Sequence, residues 1–343
     1  MGQVMNGRSD SILRLAIPSD GEMYEPTLKF MEACGMSVWR PSPRRYTAVI
    51  PAIKGLEVHF QRGADITSKV EAGNVDLGVV GLDRYQEYRT EDGDSLLVMP
   101  DLGFGRCELV VGVPDAWVDV STMADLADLS AELRESGREL RVATKYPRLV
   151  QRFLFNHGLN YFSLQQVTGT LEAAPAMGYA DIIVDISATG VTMRENRLKT
   201  LEDGSVLASE GCLIGNRALL QEHSERLEAT REMVERMEAY LNAGDYCRVT
   251  ANIQGPSEEA VAAQVLERPD LAGLQGPTIS RVFAADGSQW YAVTVFVHKR
   301  RLTTAVDHFR AIGGSSVSVS DTEYIFHQES RAYRSLLSAL GLG

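Results

Sequence analysis

The sequence predicts an α/β protein with a second, smaller domain at its carboxyl end. Short apolar runs such as Val75–Val80 and Ile182–Val184 have the composition of buried parallel strands, and amphipathic helices separate them. Alternation of this kind is typical of a mainly parallel sheet. After a long charged helix, Arg217–Leu241, the order of elements changes to βαββαβ, which is the ferredoxin-like arrangement. The predicted fold is therefore α/β followed by a ferredoxin-like domain.

The first segment, residues 1–105, is predicted to form one α/β lobe. Its opening strand, Ile12–Ile17, leads through a turn at Pro18–Gly21 into an amphipathic helix that Gly35 ends. The next elements are the strand Val58–Phe60, the helix Asp65–Glu71 and the strand Val75–Val80, after which come Gly81, Leu82 and Asp83. Asp83 thus lies at the carboxyl end of a strand, where open α/β sheets bind ligands.

A second lobe, residues 106–194, follows a crossing at Leu102–Cys107 (LGFGRC). The two glycines of this run lack the third glycine of a dinucleotide-binding motif, which excludes that interpretation. Residues 195–218 are predicted to return to the first lobe through strands at Thr200–Leu201 and Cys212–Ile214. The elements predicted for the second lobe are the strand Glu108–Val113, the helix Thr122–Leu129, the strand Leu140–Thr144, the helix Pro147–Asn156, the strand Leu164–Thr168 and the helix Glu172–Met177.

The remaining chain comprises a predicted linker helix, residues 219–244, and a predicted regulatory domain with a carboxyl-terminal tail, residues 245–343. The βαββαβ order is common in domains that sense small molecules, although a fold does not by itself assign a function. Its elements are the strand Tyr246–Ile253, the helix Ser257–Leu266, the strands Thr278–Phe283 and Trp290–Val297, the helix Leu302–Ile312 and the strand Ser316–Phe326.

Composition limits the partners that the protein can have. Its 343 residues are 44% hydrophobic and 23% charged, which is ordinary for a globular protein of two or three domains. The 34 basic and 46 acidic side chains give a net charge of −12, which disfavours nucleic acid or an anionic membrane as a partner. The four cysteines are widely spaced, and neither the amino-terminal segment MGQVMNGRSDS nor any later stretch resembles a signal or membrane-spanning sequence. A cytoplasmic location with free thiols is expected.

The stretch Ala180–Asn196, ADIIVDISATGVTMREN, carries the strongest signal for a ligand. Asp185 follows its apolar run, and small residues and a helical first turn come next, so free backbone N–H groups and hydroxyls would converge on an anion. A carboxylate beside such a cradle is unfavourable unless it binds ribose hydroxyls or a metal ion, and a sugar phosphate meets both conditions. Strand–turn–helix units without a ligand are the alternative. The predicted cradle consists of Ser187, Ala188, Thr189, Gly190, Val191 and Thr192.

Four separated motifs occur in the chain, namely VDLGVVGLD (Val75–Asp83), RVATKYPRLVQRFL (Arg141–Leu154), GTLEAAPAMGYAD (Gly169–Asp181) and ADIIVDISATGVT (Ala180–Thr192). Together they closely resemble the ATP phosphoribosyltransferase family, which opens histidine biosynthesis. The resemblance extends from about Leu13 to Phe326. It implies a bilobal catalytic part that is similar to type II periplasmic binding proteins, followed by the regulatory domain of the family's long form.

The resemblance also implies a reaction and its partners. N1 of ATP would attack C1′ of 5-phosphoribosyl 1-diphosphate, and diphosphate would leave together with Mg²⁺, the implied cofactor. Because N1 has an available lone pair, no strong base is required, and none of the six histidines has to be catalytic. Histidine and AMP are the implied inhibitors. The implied assembly is a homo-oligomer, namely a hexamer of dimers.

Each motif of the family implies roles for its residues. Asp185 would hold the ribose hydroxyls and the cradle would hold the 5-phosphate, while Lys145 and Arg62 would contact polyphosphate or ATP. The alternative for Lys145 and Arg62 is an ordinary solvated surface position. The alternative for Glu172 is a charge at the start of a helix that complements the helix dipole. The implied catalytic residues are Asp185, Lys145 and Arg62; the implied nucleotide-binding residues are Arg62, Asp83, Tyr146 and Glu172; the implied metal ligands are Asp181 and Asp185.

The loop after the first strand departs from the family. In the family this loop is usually basic, but in this sequence it reads Ser19, Asp20, Gly21 and Glu22. Acidic residues are unfavourable near a diphosphate. A non-catalytic small-molecule-binding regulatory protein on the same bilobal fold is therefore the alternative function.

Three other observations bear on regulation and on rival enzymes. In the regulatory domain, the acidic residue usual in the family is replaced by Thr250 and Asn252, the candidate regulatory residues. A type I phosphoribosyltransferase normally has two adjacent acids at the strand end, whereas Asp185 is followed by Ile186. A P-loop hydrolase is excluded because the chain has no GK[ST] sequence.

Overall fold

The computed structural model describes residues 11–166 and 170–343, and the chain divides into two compact units. The first unit runs to Glu232 and includes Ala332–Gly343, and the second comprises Met233–Arg331. Most of the amino-terminal segment and the end of the strand predicted at Leu164–Thr168 lie outside the described residues. The division falls inside the predicted linker helix.

The first lobe is built on a mixed sheet whose centre is parallel. Its central strand β1 is parallel to both of its neighbours, β3 and β4, and every residue of β4 is buried. The elements are β1 (Leu13–Pro18), α1 (Tyr24–Ala33), β2 (Thr47–Val49), β3 (Leu56–Gln61), α2 (Gly63–Glu71), β4 (Leu77–Gly81), α3 (Leu82–Tyr88) and β5 (Ser95–Met99). The strands β2 and β5 add to the elements that the sequence predicted.

The second lobe has a five-stranded sheet in the order β10-β6-β9-β7-β8 within the described residues. The strands β7, β8 and β9 are mutually parallel where they pair, whereas β6 is antiparallel to β9. The elements are β6 (Cys107–Pro114), α4 (Met123–Glu135), β7 (Leu140–Thr144), α5 (Pro147–Asn156), β8 (Phe162–Gln166), β9 (Ile182–Ser187), α6 (Val191–Glu195) and β10 (Leu198–Ser209).

The return to the first lobe is shorter than predicted. Only β11 (Gly211–Asn216) joins the first sheet, where it lies antiparallel between β4 and β5. The predicted strand at Thr200–Leu201 is part of β10, which pairs with β6 of the second lobe. The bilobal arrangement predicted for the catalytic part is confirmed by these two separate sheets.

Both lobes contain the same ion pair at the amino end of a central strand. In the first lobe, Arg14 of β1 donates its backbone N–H and its Nε–H to Asp76 Oδ2, at 2.7 and 3.2 Å. In the second lobe, Arg141 of β7 donates the same two groups to Asp181 Oδ2, at 2.8 and 3.1 Å. Asp76 and Asp181 each directly precede the strand that pairs with the arginine's strand. We call these two pairs the amino-end clamps.

Two predicted helices differ in the structure. The helix expected at Arg217–Leu241 is divided into α7 (Arg217–Glu222) and α8 (Ser224–Gly244), because His223 between them has an extended backbone. The helix expected at Glu172–Met177 is only a three-residue 3₁₀ turn, Leu171–Ala173.

The second unit has the predicted ferredoxin-like topology. Its antiparallel sheet has the order β13-β14-β12-β15, and the apolar side of β12 packs with the helices α9 and α10. The last strand ends at Asp321, earlier than the predicted Phe326. The elements are β12 (Tyr246–Gln254), α9 (Glu258–Leu266), β13 (Thr278–Phe283), β14 (Gln289–His298), α10 (Leu302–Ala311) and β15 (Gly314–Asp321).

The carboxyl-terminal tail, predicted as part of the regulatory domain, belongs to the first unit. Its helix α11 (Arg331–Leu340) buries Leu336 and Leu340. Gln221 Nε2 donates a 2.6 Å hydrogen bond to the Leu340 carbonyl, and Arg217 donates to the carbonyl of Ala339. None of the helices in the described ranges has the length and hydropathy that a membrane-spanning segment needs.

Candidate active site

A cavity of about 360 Å³ lies between the two lobes of the first unit. The first lobe contributes the loop after β1 and the residues around the end of β4, and the second lobe contributes Tyr146, Ile186 and Ala188. The carboxyl ends of β1, β4 and β9 therefore face one cleft, as expected for an open α/β sheet.

Asp185 and Lys145 are brought together beside this cavity. The strands β7 and β9 are parallel neighbours with Thr144 opposite Val184, so the residues that follow each of them are adjacent. Lys145 Nζ lies 3.9 Å from Asp185 Oδ2, and the Ile186 N–H donates a 2.9 Å hydrogen bond to Asp185 Oδ1. Asp185 was predicted to follow its strand, but it lies inside β9 because the strand continues to Ser187.

The carboxylate of Asp185 is not fully neutralised by its surroundings. Burial raises its pKa, and the Ile186 N–H and the Lys145 ammonium only partly offset this effect. Glu172, predicted to bind nucleotide, is half-buried and raises the same pKa further by its negative charge. Asp185 is thus a buried acid whose charge an added cation or hydroxyl donor would stabilise.

The predicted phosphate cradle is a tight turn after β9. Ser187 Oγ accepts a 3.0 Å hydrogen bond from the Gly190 N–H, and Gly190 has a φ of +69°, which favours glycine. Thr189 and Thr192 are exposed, as are Ala188 and Val191. The helix behind the turn, α6, has only five residues, so the cradle depends on the turn itself more than the sequence suggested.

Asp83 is the centre of a buried hydrogen-bond network that joins the lobes. Its Oδ2 accepts a 2.7 Å hydrogen bond from the Tyr146 hydroxyl, and its Oδ1 accepts one of 2.7 Å from Ser209 Oγ. Burial, followed by the charge of Asp83, strongly raises the pKa of Tyr146, which stays a neutral donor. The two predicted nucleotide-binding residues Asp83 and Tyr146 therefore contact one another.

A second contact between the lobes involves Glu87 of α3. Its carboxylate accepts hydrogen bonds of 2.9 Å from the backbone N–H groups of Arg148 and Leu149, in the first turn of α5. The amino end of α5, which follows Lys145 and Tyr146, is therefore already occupied by a protein carboxylate.

Arg62 and the loop after β1 flank the cleft from the first lobe. Arg62 is exposed and directly precedes α2, and its neighbours Gly63 and Ala64 line the cavity. Asp20 and Glu22 are exposed and also line the cavity. The acidic residues that depart from the family pattern thus face the cleft.

Asp181, a predicted metal ligand, is not brought to Asp185. It precedes β9 at the opposite end of the strand and is held by Arg141 in an amino-end clamp. Arg141 Nη2 donates a further 2.9 Å hydrogen bond to Asp181 Oδ1. In the described part of the chain, no group of three or more His, Cys, Asp or Glu residues is arranged to hold a metal ion.

Comparisons with known proteins agree with this geometry. The family model for ATP phosphoribosyltransferase matches residues 62–239, and the model for the carboxyl-terminal domain of the same enzyme matches residues 243–324. The chain belongs to the ATP phosphoribosyltransferase family. Membership confirms the predicted activity, a pentosyl transfer in histidine biosynthesis, and the second match confirms the long form.

Individual members of the ATP phosphoribosyltransferase family resemble the chain over different lengths. The chloroplastic ATP phosphoribosyltransferase 2 of Arabidopsis thaliana is 40% identical over 99% of this chain and 85% of its own length. An ATP phosphoribosyltransferase of Brucella melitensis is 42% identical over 67% of this chain and 97% of its own. The solved ATP phosphoribosyl transferase (HisG:HisZ) complex from Thermotoga maritima shares the fold, with a TM-score of 0.51 and 23% identity over 66% of this chain and 96% of that one.

The candidate regulatory residues of this ATP phosphoribosyltransferase lie in the second unit. Thr250 and Asn252 are on the side of β12 opposite to its buried residues Val249 and Ala251. Thr250 Oγ1 is 2.9 Å from the hydroxyl oxygen of Thr294 on β14. They therefore belong to a polar, half-exposed sheet face that the helices do not cover.

Sequence reasoning missed three residues of the family's cleft in this chain. Arg84, Glu87 and Ser209 all contact residues that join the lobes, but none belongs to a motif that the sequence analysis singled out. Arg84 had one available signal, since it directly follows Asp83. Ser209 had no such signal in the sequence, because its position depends on how β10 pairs with β6.

Proposed function

We propose that the cleft binds 5-phosphoribosyl 1-diphosphate with its ribose hydroxyls on Asp185 and its 5-phosphate on the turn Ser187–Thr192. ATP would lie on the first-lobe side, near Arg62 and the Asp83–Tyr146 pair. Its N1 would then attack C1′ of the ribose while the diphosphate leaves.

The observation that carries this proposal is the Lys145–Asp185 pair beside the turn. Asp185 is buried with a raised pKa, and a carboxylate of this kind gains most from new hydroxyl donors. Lys145 is only 3.9 Å away and remains partly exposed, so it is also able to face a phosphate. A carboxylate and an ammonium beside a hydroxyl-bearing turn match a phosphorylated pentose.

The chemistry that these side chains must supply is positional and electrostatic. Loss of diphosphate leaves positive charge on the ribose ring, and the nearby Asp185 carboxylate would stabilise that charge. Closing two reactants into one cleft also raises their effective concentration. Burial keeps Tyr146 neutral, and its hydrogen bond to Asp83 fixes its side chain. Tyr146 would therefore position a substrate and would not transfer a proton.

Magnesium fits this site as an ion that arrives with the substrate. Mg²⁺ in nucleotide-binding sites usually takes one or two carboxylates and completes its shell with phosphates and water. Asp185 provides one carboxylate, whereas Asp181 is committed to Arg141. When bound, Mg²⁺ would neutralise the charge of the leaving diphosphate.

The direct test is to incubate the protein with ATP, 5-phosphoribosyl 1-diphosphate and Mg²⁺ and to follow the absorbance of the adduct. We expect turnover that requires all three components. If no adduct forms, even with an auxiliary subunit, the alternative of a non-catalytic sensor replaces this proposal.

The role of the turn has a matched test. Gly190→Ala and Gly137→Ala both place a side chain at a positive φ, +69° and +75°, which costs about 1 kcal/mol at either site. Only Gly190 lies in the proposed cradle. We expect a KM for 5-phosphoribosyl 1-diphosphate that rises at least about tenfold in Gly190→Ala, through distortion worth about 1.4 kcal/mol, and little in Gly137→Ala. Equal KM values would remove the cradle from the proposal.

Regulation, assembly and location stay predictions. Histidine binding to the sheet face around Thr250 and Asn252 is tested by repeating the adduct assay with added histidine, and inhibition by AMP is tested in the same way. A hexamer of dimers is tested by sedimentation. A cytoplasmic location follows only from the sequence.

A further inference from the structure

One arginine of the cleft makes no hydrogen bond through its guanidinium in the described residues. Arg84 lines the cavity, and its side chain is 27% exposed. It is the third residue of α3, where a cation is disfavoured by the helix dipole. Within residues 11–166 and 170–343, no acceptor lies within hydrogen-bond distance of its guanidinium. Its donors are therefore available to a ligand.

The neighbouring carboxylate does not use these donors. Arg84 Nε is 3.7 Å from Asp83 Oδ2, which is longer than a hydrogen bond. Both oxygens of Asp83 already accept short hydrogen bonds, from the hydroxyls of Tyr146 and Ser209. Asp83 thus offsets the charge of Arg84 without occupying its N–H groups.

The guanidinium is nevertheless held in place. Its Cζ lies 4.6 Å from the centroid of the Tyr146 ring, a distance typical of a cation–π contact. Tyr146 is 1% exposed and is anchored by its hydroxyl to Asp83. A planar guanidinium fixed on a rigid ring is suited to bidentate recognition of phosphate oxygens.

The other charged residues around the cavity do not offer the same group. Asp20 and Glu22 are acidic, and Arg106 is 78% exposed and forms a 3.1 Å ion pair with Glu210. Arg84 also acts on Asp185, whose pKa its charge lowers, so it lies within electrostatic reach of the proposed ribose site. Among the described residues that line the cavity, Arg84 of α3 is therefore the cation whose N–H groups remain available.

We infer that Arg84 binds the phosphate chain of a substrate in the cleft and replaces the cations that the acidic loop Ser19–Glu22 does not provide. This inference rests on the proposed function and refines it. The chemistry recognised is a diphosphate or triphosphate, which either 5-phosphoribosyl 1-diphosphate or ATP presents.

The test is to replace Arg84 by Gln and by Lys and to measure kcat and the KM of each substrate separately. Losing a charged, bidentate contact raises the KM of the substrate concerned roughly 10- to 100-fold, and the KM of the other substrate stays within about threefold. Arg84→Lys keeps the positive charge but loses the paired N–H donors of the guanidinium, so we expect a KM between those of the wild type and Arg84→Gln. The substrate whose KM changes, ATP or 5-phosphoribosyl 1-diphosphate, is the one whose phosphate chain contacts Arg84.

The matched control is Arg134→Gln on the surface of the second lobe. Arg134 Cζ lies 3.4 Å from the ring centroid of Tyr161, so this variant also loses an arginine–tyrosine contact, but away from the cleft. We expect wild-type KM values for it. A direct titration with inorganic diphosphate and Mg²⁺ should show at least about tenfold weaker binding to Arg84→Gln than to Arg134→Gln.

The inference is overturned if both KM values of Arg84→Gln stay within about twofold of the wild type, or if Arg134→Gln changes them equally. Asp185→Asn separates this outcome from failure of the proposed function. If Asp185→Asn abolishes turnover while Arg84→Gln does not raise a KM, only the role of Arg84 is wrong. If Asp185→Asn is also fully active, the proposed ribose site is wrong.

Discussion

The two ends of β9 show how one residue type serves two purposes. At the amino end, Asp181 receives three hydrogen bonds from Arg141 between 2.8 and 3.1 Å. At the carboxyl end, Asp185 has, among the residues that the structure describes, one backbone donor and a lysine at 3.9 Å. A saturated carboxylate stabilises the fold, whereas an under-satisfied one retains capacity for a ligand.

The first lobe repeats only one half of this pattern. It has the amino-end clamp, in which Asp76 replaces Asp181 and Arg14 replaces Arg141. Four residues after the clamp, however, it has Pro18 and Val80, where the second lobe has Lys145 and Asp185. The clamp thus belongs to the architecture that the lobes share, whereas the lysine–aspartate pair belongs to the second lobe.

The largest effect that the comparison predicts is on turnover in Asp185→Asn. This variant removes the negative charge that the ribose site requires, so kcat/KM should fall roughly 10³-fold, as for loss of a key electrostatic group. Stability should not fall, since burial disfavours the charged form of Asp185. Steady-state kinetics and thermal unfolding measure the two quantities. Asp181→Asn is the control, and an equal loss of turnover in it would contradict the contrast between the two ends of the strand.

The next largest effect is on stability when a clamp is broken. Asp76 is fully buried and also accepts a 2.7 Å hydrogen bond from Arg226 Nη1, so Asp76→Asn removes a buried carboxylate that two arginines contact. We expect a loss of about 3 kcal/mol in the free energy of unfolding, measured with urea. Asp181→Asn should lose about 1 kcal/mol, because Arg141 is partly exposed. A smaller loss for Asp76 than for Asp181 would show that burial does not set the strength of the clamps.

A smaller effect is expected from the acidic loop of the first lobe. Asp20→Asn combined with Glu22→Gln removes two negative charges from the wall of the cavity, so phosphorylated substrates should bind better. Because both residues are exposed, the KM should fall only about two- to fivefold at low salt and should converge on the wild-type value as salt screens the charges. A salt-independent KM would indicate direct contact with the substrate instead.

The smallest effect is a difference in pH dependence between the two aspartates. Burial raises the pKa of Asp185 above 3.8, so between 3.8 and that raised pKa the folded state binds more protons and stability falls as pH rises. Burial also raises the pKa of Asp181, but its hydrogen bonds with Arg141 outweigh this and lower it below 3.8. Its stabilisation is present above 3.8 and is lost as pH falls through the lowered pKa.

The measurement is the free energy of unfolding of both Asn variants across acidic pH. In Asp185→Asn, the free energy of unfolding should no longer decline as pH rises above 3.8. In Asp181→Asn, it should no longer fall as pH drops below 3.8. Changes of the same sign in both variants would refute the opposite pKa shifts.

The sequence predicted that Lys145 and Asp185 lie at strand ends, but it did not predict the connections around them. The sequence places Lys145 and Asp185 near the carboxyl ends of two strands, and those two strands are neighbours in the sheet. The place of β10 and the break at His223 were not recognisable, since both depend on pairing and packing with distant segments. Arg84 was missed for a related reason: its importance arises from Tyr146, sixty-two positions away in the printed sequence and in the other lobe.

The carboxylate of Glu87 on the first turn of α5 has a mechanical consequence. Separating the lobes at this point would strip two backbone N–H groups of their acceptor and leave a charged side chain without donors. Parting the lobes between α3 and α5 would therefore cost both of these hydrogen bonds at once.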